Sequence, residues 1–384
     1  MILYLSSAID DEYFAELVKK GYIKVGHQAQ KFNSLVIRGL AEHTKVFAVS
    51  NPPYDLTKGE ISPKTCSENN VCYSITGSNR SKLHKVNNFL QAKRYIKKIS
   101  KENKIEAVVC DAVNVLASLN AILYSKFHKV PAIAIVTDIP KYLAKGKYTF
   151  FTRLMDYLIK KYDGYVLLTK AMDPLVNPNR KPYIIMEGLC EDSSAAEPVE
   201  EKTKNEVFTC VYTGSLALNT GIEELVKAVT LIERQDIKLK VYGNGILADS
   251  VKKAQENDSR IEYCGVVTNA EAVEAQRQAD LLINPRPADV AYGHVSFPSK
   301  IMEYMASGTP LLTTKLPGIP EEYFDYLYLI NDYSENGIKK SIETVMEYSF
   351  EDRNKFGSAA RDFVLKNKNK TIQAKRIIEL IFSM

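Results

Sequence analysis

Short apolar runs alternate with helix-patterned stretches along almost the whole of this 384-residue chain, and that alternation restricts its architecture more than any other feature. In the first half the strand candidates are Ile2–Ser6, Val46–Ser50, Ala107–Cys110, Ala132–Val136 and Tyr165–Thr169. Helical periodicity fills stretches between them, at Gln28–His43, Val86–Lys101 and Thr149–Lys161. A second series begins with Phe208–Thr213 and continues through Lys238–Tyr242, Ile261–Cys264, Leu281–Ile283, Leu311–Thr313 and Tyr328–Ile330. Its helices are Gly221–Arg234, Leu247–Asn257 and Asn269–Ala279, and Thr371–Phe382 comes last. Strand–helix–strand repetition is the pattern of βαβ units and parallel sheets. The length is at least about twice that of a typical domain. The expected fold class is therefore α/β, with two Rossmann-like doubly wound parallel-sheet domains facing across a cleft. The acidic, polar, Pro-containing segment Asp192–Asn205 (DSSAAEPVEEKTKN) has no apolar period and reads as a linker. The expected divisions are 1–195, a linker at 196–205, a second domain at 206–365, and a C-terminal helix at 366–384 that packs back on the first domain.

Composition narrows the class further. Hydrophobic content of 45% with 25% charged residues is ordinary for a globular protein. No apolar run approaches the roughly 18 residues needed to span a bilayer. The opening MILYLSSAIDDE lacks a cationic lead-in and reads as a first strand, not a secretory signal. Cys66, Cys72, Cys110, Cys190, Cys210 and Cys264 show no CxxC or Cys/His metal spacing, which fits reduced thiols in a cytoplasmic protein. Residues 1–195 carry 28 Lys/Arg against 18 Asp/Glu, whereas residues 196–384 carry 23 against 28. A basic first half suits a polyanion or the anionic inner face of a membrane; the alternative is an ordinary soluble surface. Lys85–Lys104 sets Val86, Phe89, Leu90 and Ile96 against seven Lys/Arg. Lys141–Lys161 likewise mixes Tyr148, Phe150, Phe151, Leu154 and Leu158 with Lys145, Lys147, Arg153, Lys160 and Lys161. Such helices fit an interfacial role on anionic lipid or plain surface helices. No nucleic-acid motif accompanies them, so no nucleic-acid partner is expected.

The candidate chemistry gathers in the second half. Leu281–Thr314 parses as strand, polar loop, short helix and second strand, with Pro298-Ser299 opening the helix and Gly308 and Pro310 closing it. On a helical wheel Ile301, Met302, Met305 and Ala306 share one face, while Lys300 and Glu303 share the other. A helix N-terminus offers free N–H groups and partial positive charge, which suits a diphosphate. The bland alternative is a crossover helix with a solvated Lys300–Glu303 pair. Gly243-Asn244-Gly245-Ile246-Leu247-Ala248 forms a G-x-G-x-x-A turn after a strand, a weak dinucleotide fingerprint. It follows the second strand of its domain and lacks the acidic residue after the next strand, which disfavours a nicotinamide dehydrogenase. Tyr212-Thr213-Gly214-Ser215-Leu216, followed by Asn219-Thr220-Gly221, has the form of an anion-accommodating loop but not of a P-loop. No D-x-D triplet and no clustered histidines occur, so no metal is expected. His294 lies in the loop before Pro298. Asp138 follows the Ala132–Val136 strand, where a carboxylate can act as base or sugar contact, or as a helix cap.

The runs YTGSLALNTGIEELVKAV, LKVYGNG, IEYCGVV, ADLLINP and FPSKIMEYMASGTPLL, in this order, together resemble the C-terminal half of a GT-B glycosyltransferase of family 4. GHQAQKFNSLVIRGL resembles the first helix region of the same group, in particular of bacterial members that build capsular or exopolysaccharide. The resemblance implies a retaining, hexosyltransferase-type enzyme that takes a nucleotide sugar, UDP- or GDP-linked, and needs no further cofactor. Its acceptor would be a glycan or lipid-linked glycan. Carried over, the ribose-binding glutamate falls on Glu303 and the diphosphate loop on Ser296, Phe297, Pro298 and Ser299. The glycine turn falls on Gly243 and Gly245, beside Gly214 and Ser215, and the base-contacting loop lies near Val266 and Val267. Four positions depart from the pattern. Val295 stands where the first carboxylate of an E-x7-E motif belongs, and Ser215 and Thr220 stand where an arginine and a lysine usually grip the diphosphate. Asp138 stands where a first-domain histidine often occurs. Arg286 and Lys300 are then the expected diphosphate cations, with His294 and Asp138 toward the sugar or acceptor. A catalytically silent partner on the same fold, and a sugar-nucleotide epimerase, are the alternatives.

Overall fold

A computed structural model describes residues 1–23, 28–81, 83–143, 149–191, 204–288 and 293–384. Most of the expected linker at 196–205 lies outside the described residues, as do Gly26 and His27 and, in the basic stretch, Lys145, Lys147 and Tyr148. The chain divides into two units, Met1–Glu191 with Asn369–Met384, and Asp192–Lys368.

In the first unit the strands are β1 (Ile2–Ser6), β2 (Val46–Ser50), β3 (Lys64–Glu68), β4 (Val71–Ile75), β5 (Ala107–Asp111), β6 (Ala132–Val136), β7 (Gly164–Leu167) and β8 (Tyr183–Ile185). They lie in the order β3-β4-β2-β1-β5-β6-β7-β8, parallel throughout except β3, which runs antiparallel to β4. Every residue of β1, β2, β5, β6 and β7 is buried, which explains why they read as unbroken apolar runs. Three strands escaped the sequence pattern. β3 and β8 are the sheet's edges, and the polar, exposed KTCSE of β3 is how an edge strand resists further pairing. β4 lies inside the sheet, but Ser74 interrupts its apolar residues and polar segments flank it, so it does not stand out. The helix His84–Glu102 buries Asn88, Ala92, Ile96 and Ile99, whereas Val86 and Leu90 are exposed. The expected apolar face of Val86, Phe89, Leu90 and Ile96 is thus rotated, because the narrow inward stripe is built partly from Ala and Asn.

The C-terminal helix Lys370–Phe382 belongs to this unit. Ala374, Ile377, Leu380 and Ile381 enter the first unit's core. It crosses helix Gln28–Ala41 at Gly39, where a Cβ would overlap the carbonyl oxygen of Lys370. The Lys370 N–H donates to the Cys190 carbonyl at 2.8 Å, so the two segments that leave and re-enter the unit are hydrogen-bonded side by side.

The second unit holds β9 (Phe208–Thr213), β10 (Ile237–Tyr242), β11 (Ile261–Gly265), β12 (Leu281–Asn284), β13 (Leu311–Thr314) and β14 (Tyr328–Ile330). All pairings are parallel, in the order β11-β10-β9-β12-β13-β14. Order reverses between β9 and β12, and a sheet of this kind opens a crevice at the carboxyl ends of the strands at such a point. No helix among the described residues is long and apolar enough to cross a membrane.

Candidate functional site

The crevice arises from a divergence of strands. β9 pairs with β12 only at Cys210↔Leu281 and Val211↔Leu282, while its ladder with β10 continues to Thr213↔Tyr242. Thr213 therefore has no register partner on the β12 side. Its backbone is satisfied by the fully buried Tyr304, whose hydroxyl accepts from the Thr213 N–H at 2.8 Å and donates to the Thr213 carbonyl at 3.1 Å. Tyr304 lies in the helix Ser299–Ser307 with Ile301, Met302 and Met305, all buried. The expected wheel holds for these three apolar residues, with Tyr304 added to the inward set. A tyrosine among inward residues was the available signal, since a buried hydroxyl needs a partner.

Three glycine turns stack on this edge. The Gly214 N–H donates to the Tyr242 carbonyl at 2.8 Å, Leu216 N–H to Asn244 at 2.9 Å, and Gly243 N–H to Gly265 at 2.7 Å. Gly214 and Gly243 both have φ +133°, and a Cβ on Gly243 would overlap the Gly214 carbonyl. Only glycine permits this approach of two loop backbones. A Cβ on Gly214 would strike the end of the Lys300 side chain, so that side chain lies directly on the turn.

Lys300 also places its ammonium 3.9 Å from the centre of the Tyr212 ring, within cation–π range. Burial pushes its pKa down to about 7; Glu303 opposes that shift and Arg286 adds to it. Arg286, Lys300 and Glu303 thus share one electrostatic neighbourhood. Glu303 is half-buried and accepts from Gln276 Nε2 at 2.8 Å; the same amide donates to Thr213 Oγ1 at 3.0 Å. Gln276 is fully buried and carried no signal in its mostly polar helix, Asn269–Gln278. Pro298 caps the helix without a side-chain hydrogen bond, so no capping side chain occupies its first-turn N–H groups.

The second unit thus gathers Gly214, Ser215, Gly243, Gly245, Arg286, Lys300 and Glu303 at its carboxyl edge. Val266 follows β11 and is exposed, with Val267 half-buried. His294 is exposed in the single turn Gly293–Val295, whereas Val295 is 3% exposed, so its side chain is part of the packing. Phe297 is likewise buried, 5.4 Å from the Tyr323 ring, which makes it a strut of the loop. The Ser296 hydroxyl is buried without a hydrogen bond among the described residues, and its carbonyl lies where a Cβ on Gly318 would fall. Asp138 belongs to the first unit and is exposed after β6. Nearby at the end of β5 is Asp111, which the sequence reading passed over. Its carboxyl is pushed up to about 6, by burial first and by Asp138 in addition, and it accepts from Asn33 Nδ2 at 3.3 Å. Among the described residues no group of three or more His, Cys, Asp or Glu could hold a metal ion.

A family model described as glycosyl transferases group 1 matches residues 207–347. A curated relative, the probable glycosyltransferase WbjE of Pseudomonas aeruginosa, is 24% identical across 69% of this chain and 72% of its own length. Among solved structures, Anabaena Alr3699/HepE in complex with UDP shares 12% identity with full coverage of both chains and a TM-score of 0.64. Sucrose-phosphate synthase of Thermosynechococcus elongatus shares 14% identity over 100% of this chain and 99% of that one, with a TM-score of 0.67. The second unit therefore resembles a group 1 glycosyltransferase domain, and the two parallel-sheet α/β units share the GT-B fold of these solved structures.

Proposed function

We propose that this chain is a retaining, metal-independent hexosyltransferase that moves a sugar from a UDP- or GDP-linked donor to a glycan or lipid-linked glycan during cell-surface polysaccharide synthesis. The observation that carries the reading is the convergence of Lys300, Arg286 and Glu303 with the Gly214 and Gly243 turns at the switch point of one sheet. In this reading Glu303 takes the ribose hydroxyls, and Arg286 and Lys300 meet the diphosphate. Lys300, poised near pH 7, becomes fully charged as the anion arrives. Stabilising charge on the departing diphosphate is the main electrostatic task of the transfer, and the helix N-terminus adds to it. His294 and, from the first unit, Asp138 contact the sugar or acceptor. No further cofactor is required. The basic first half supports a position at the cytoplasmic face of the membrane in this reading, where a lipid-linked acceptor would be presented.

The test is a thermal-shift panel of UDP, GDP, CMP and dTDP with their sugars, followed by a hydrolysis assay on each hit, for the wild type and Glu303→Ala. We expect one nucleotide class to stabilise the wild type and Glu303→Ala to raise the donor KM or abolish turnover. Unchanged kinetics in the variant would remove the central assignment. One observation favours a second reading, a catalytically silent partner: Val295 is buried where a catalytic-loop carboxylate would be needed, and Ser215 and Thr220 carry no charge. That reading requires absent donor turnover and weak or no nucleotide binding.

A further inference from the structure

A cavity of about 680 Å³ opens in the first unit at the amino-terminal edge of its sheet, where Pro131-Ala132 leads into β6 and Pro182 into β8. Four lysines line it, Lys126, Lys129, Lys161 and Lys181, against Asp163, the one acidic side chain in the lining, and Met384, which carries the α-carboxylate. At about 3.3 Å per residue, the five residues of β6 separate this edge from Asp138 by roughly 16 Å. It thus lies at the opposite edge of the first unit's sheet from Asp138.

Asp163 offsets only Lys181 among these lysines. Its Oδ2 accepts from the Ala132 N–H at 3.1 Å, and its Oδ1 lies 3.5 Å from Lys181 Nζ. Lys126, Lys129 and Lys161 form no ion pair among the described residues. Lys161 instead lies over the Tyr157 ring at 4.6 Å. Helix dipoles give a partial reason for cations here, since Lys126 and Lys129 end the helix Val115–His128 and Lys161 follows Phe150–Ile159. They account for the charge of Lys129 but not for a side chain at its φ of +55°, a left-handed cap position where glycine is the default and a side chain costs roughly 1 kcal/mol. Nor do they explain why three unpaired like charges converge on one concavity.

We infer that this cavity is a second anion site, taking a phosphate-bearing ligand whose oxygens are held by Lys126, Lys129 and Lys161. Lysine binds phosphate as a point charge, and several such charges match a group carrying two or more negative charges. The volume is that of a site for an organic phosphate or a diphosphate, well beyond one inorganic phosphate. The ligand can be a free phosphate ester or a phospholipid headgroup; Leu123 and Phe127, both exposed on the lysine-bearing helix, would face the acyl region in the second case. The inference does not depend on the proposed transferase activity.

The test uses the full chain and its Lys126→Glu/Lys161→Glu and Lys126→Arg/Lys161→Arg variants. Calorimetric titration with pyrophosphate is set beside co-sedimentation with vesicles of phosphatidylcholine, alone or mixed with phosphatidylglycerol. Wild type and the Arg variant should bind, and the Glu variant should lose roughly tenfold or more, as expected for reversing two charges at contact range. Binding of pyrophosphate identifies a free phosphate ester, and binding of the anionic vesicles alone identifies the headgroup. Amine labelling of the wild type, read by mass spectrometry, should show Lys126 and Lys161 protected by the bound probe, which keeps the test valid if the Glu variant misfolds. Binding of neither probe, equal binding by the Glu variant, or unprotected lysines would overturn the inference.

Discussion

Replacing Tyr304 with Phe removes one oxygen from a fully buried ring and keeps its shape, so it isolates the contribution of that hydroxyl to the crevice. The hydroxyl accepts from the Thr213 N–H at 2.8 Å and donates to the Thr213 carbonyl at 3.1 Å, at the point where β9 has left β12. In the variant the Thr213 N–H stays buried with no replacement acceptor on that side. An orphaned buried donor costs about 1–3 kcal/mol, and the carbonyl loses a bond worth about 1 kcal/mol net. A total of about 2–4 kcal/mol, at roughly 3 °C per kcal/mol for a domain of this size, predicts a fall in Tm of about 6–12 °C. Because Thr213 leads directly into Gly214, looser anchoring should also weaken nucleotide binding by more than the same substitution at the exposed Tyr157. Differential scanning calorimetry and a nucleotide titration on both variants measure this. A Tm for Tyr304→Phe within about 1 °C of wild type would refute the view that the hydroxyl replaces the missing strand pairing.

Lys300 makes the site pH-dependent. Its folded pKa near 7 is below the unfolded value of about 10.4, so between these values the unfolded chain binds more protons and this group's contribution to stability rises with pH. Diphosphate binding runs the other way, since it favours charged Lys300. Affinity should fall with pH above about 7, by up to about tenfold per unit, with proton uptake visible in buffers of different ionisation enthalpy. Lys300→Arg should flatten that profile. Gly243→Ala places a methyl on the Gly214 carbonyl at φ +133° and should cost several kcal/mol, read as loss of soluble protein or a large drop in Tm; near-normal stability would show that the two turns can separate. Gly39→Leu drives a side chain into the Lys370 carbonyl and should expose the helix Lys370–Phe382 to limited proteolysis, whereas wild-type resistance would contradict the packing described.

The alternation of apolar runs and helical periods determined the fold class from the sequence, because a strand buried on both faces has to be continuously apolar and the helix that covers it has to be amphipathic. The interior strands β1, β2, β5, β6, β7, β9, β12 and β13 were legible for that reason, β10 by its alternation of apolar residues with Lys238 and Lys240, and the glycine turns after β9 and β10 because their composition follows from backbone geometry. Edge strands β3 and β8 were not, since exposed polar residues at an edge look like loop. Glu303 and Lys300 could be paired by helical spacing, but their partners could not. Gln276 precedes Glu303 by 27 residues, and Thr213 precedes Tyr304 by 91; only folding brings them together. The same holds for the lysine cavity, whose cations lie as far apart as Lys126 and Lys181 in the chain. Sequence spacing reports neighbours within one helix or strand; it carries no record of which helix end faces which strand end. For this protein the sequence by itself determined the layers and the turns, and the tertiary structure decided which polar groups meet, because burial and hydrogen-bond demand are settled only where separate elements pack.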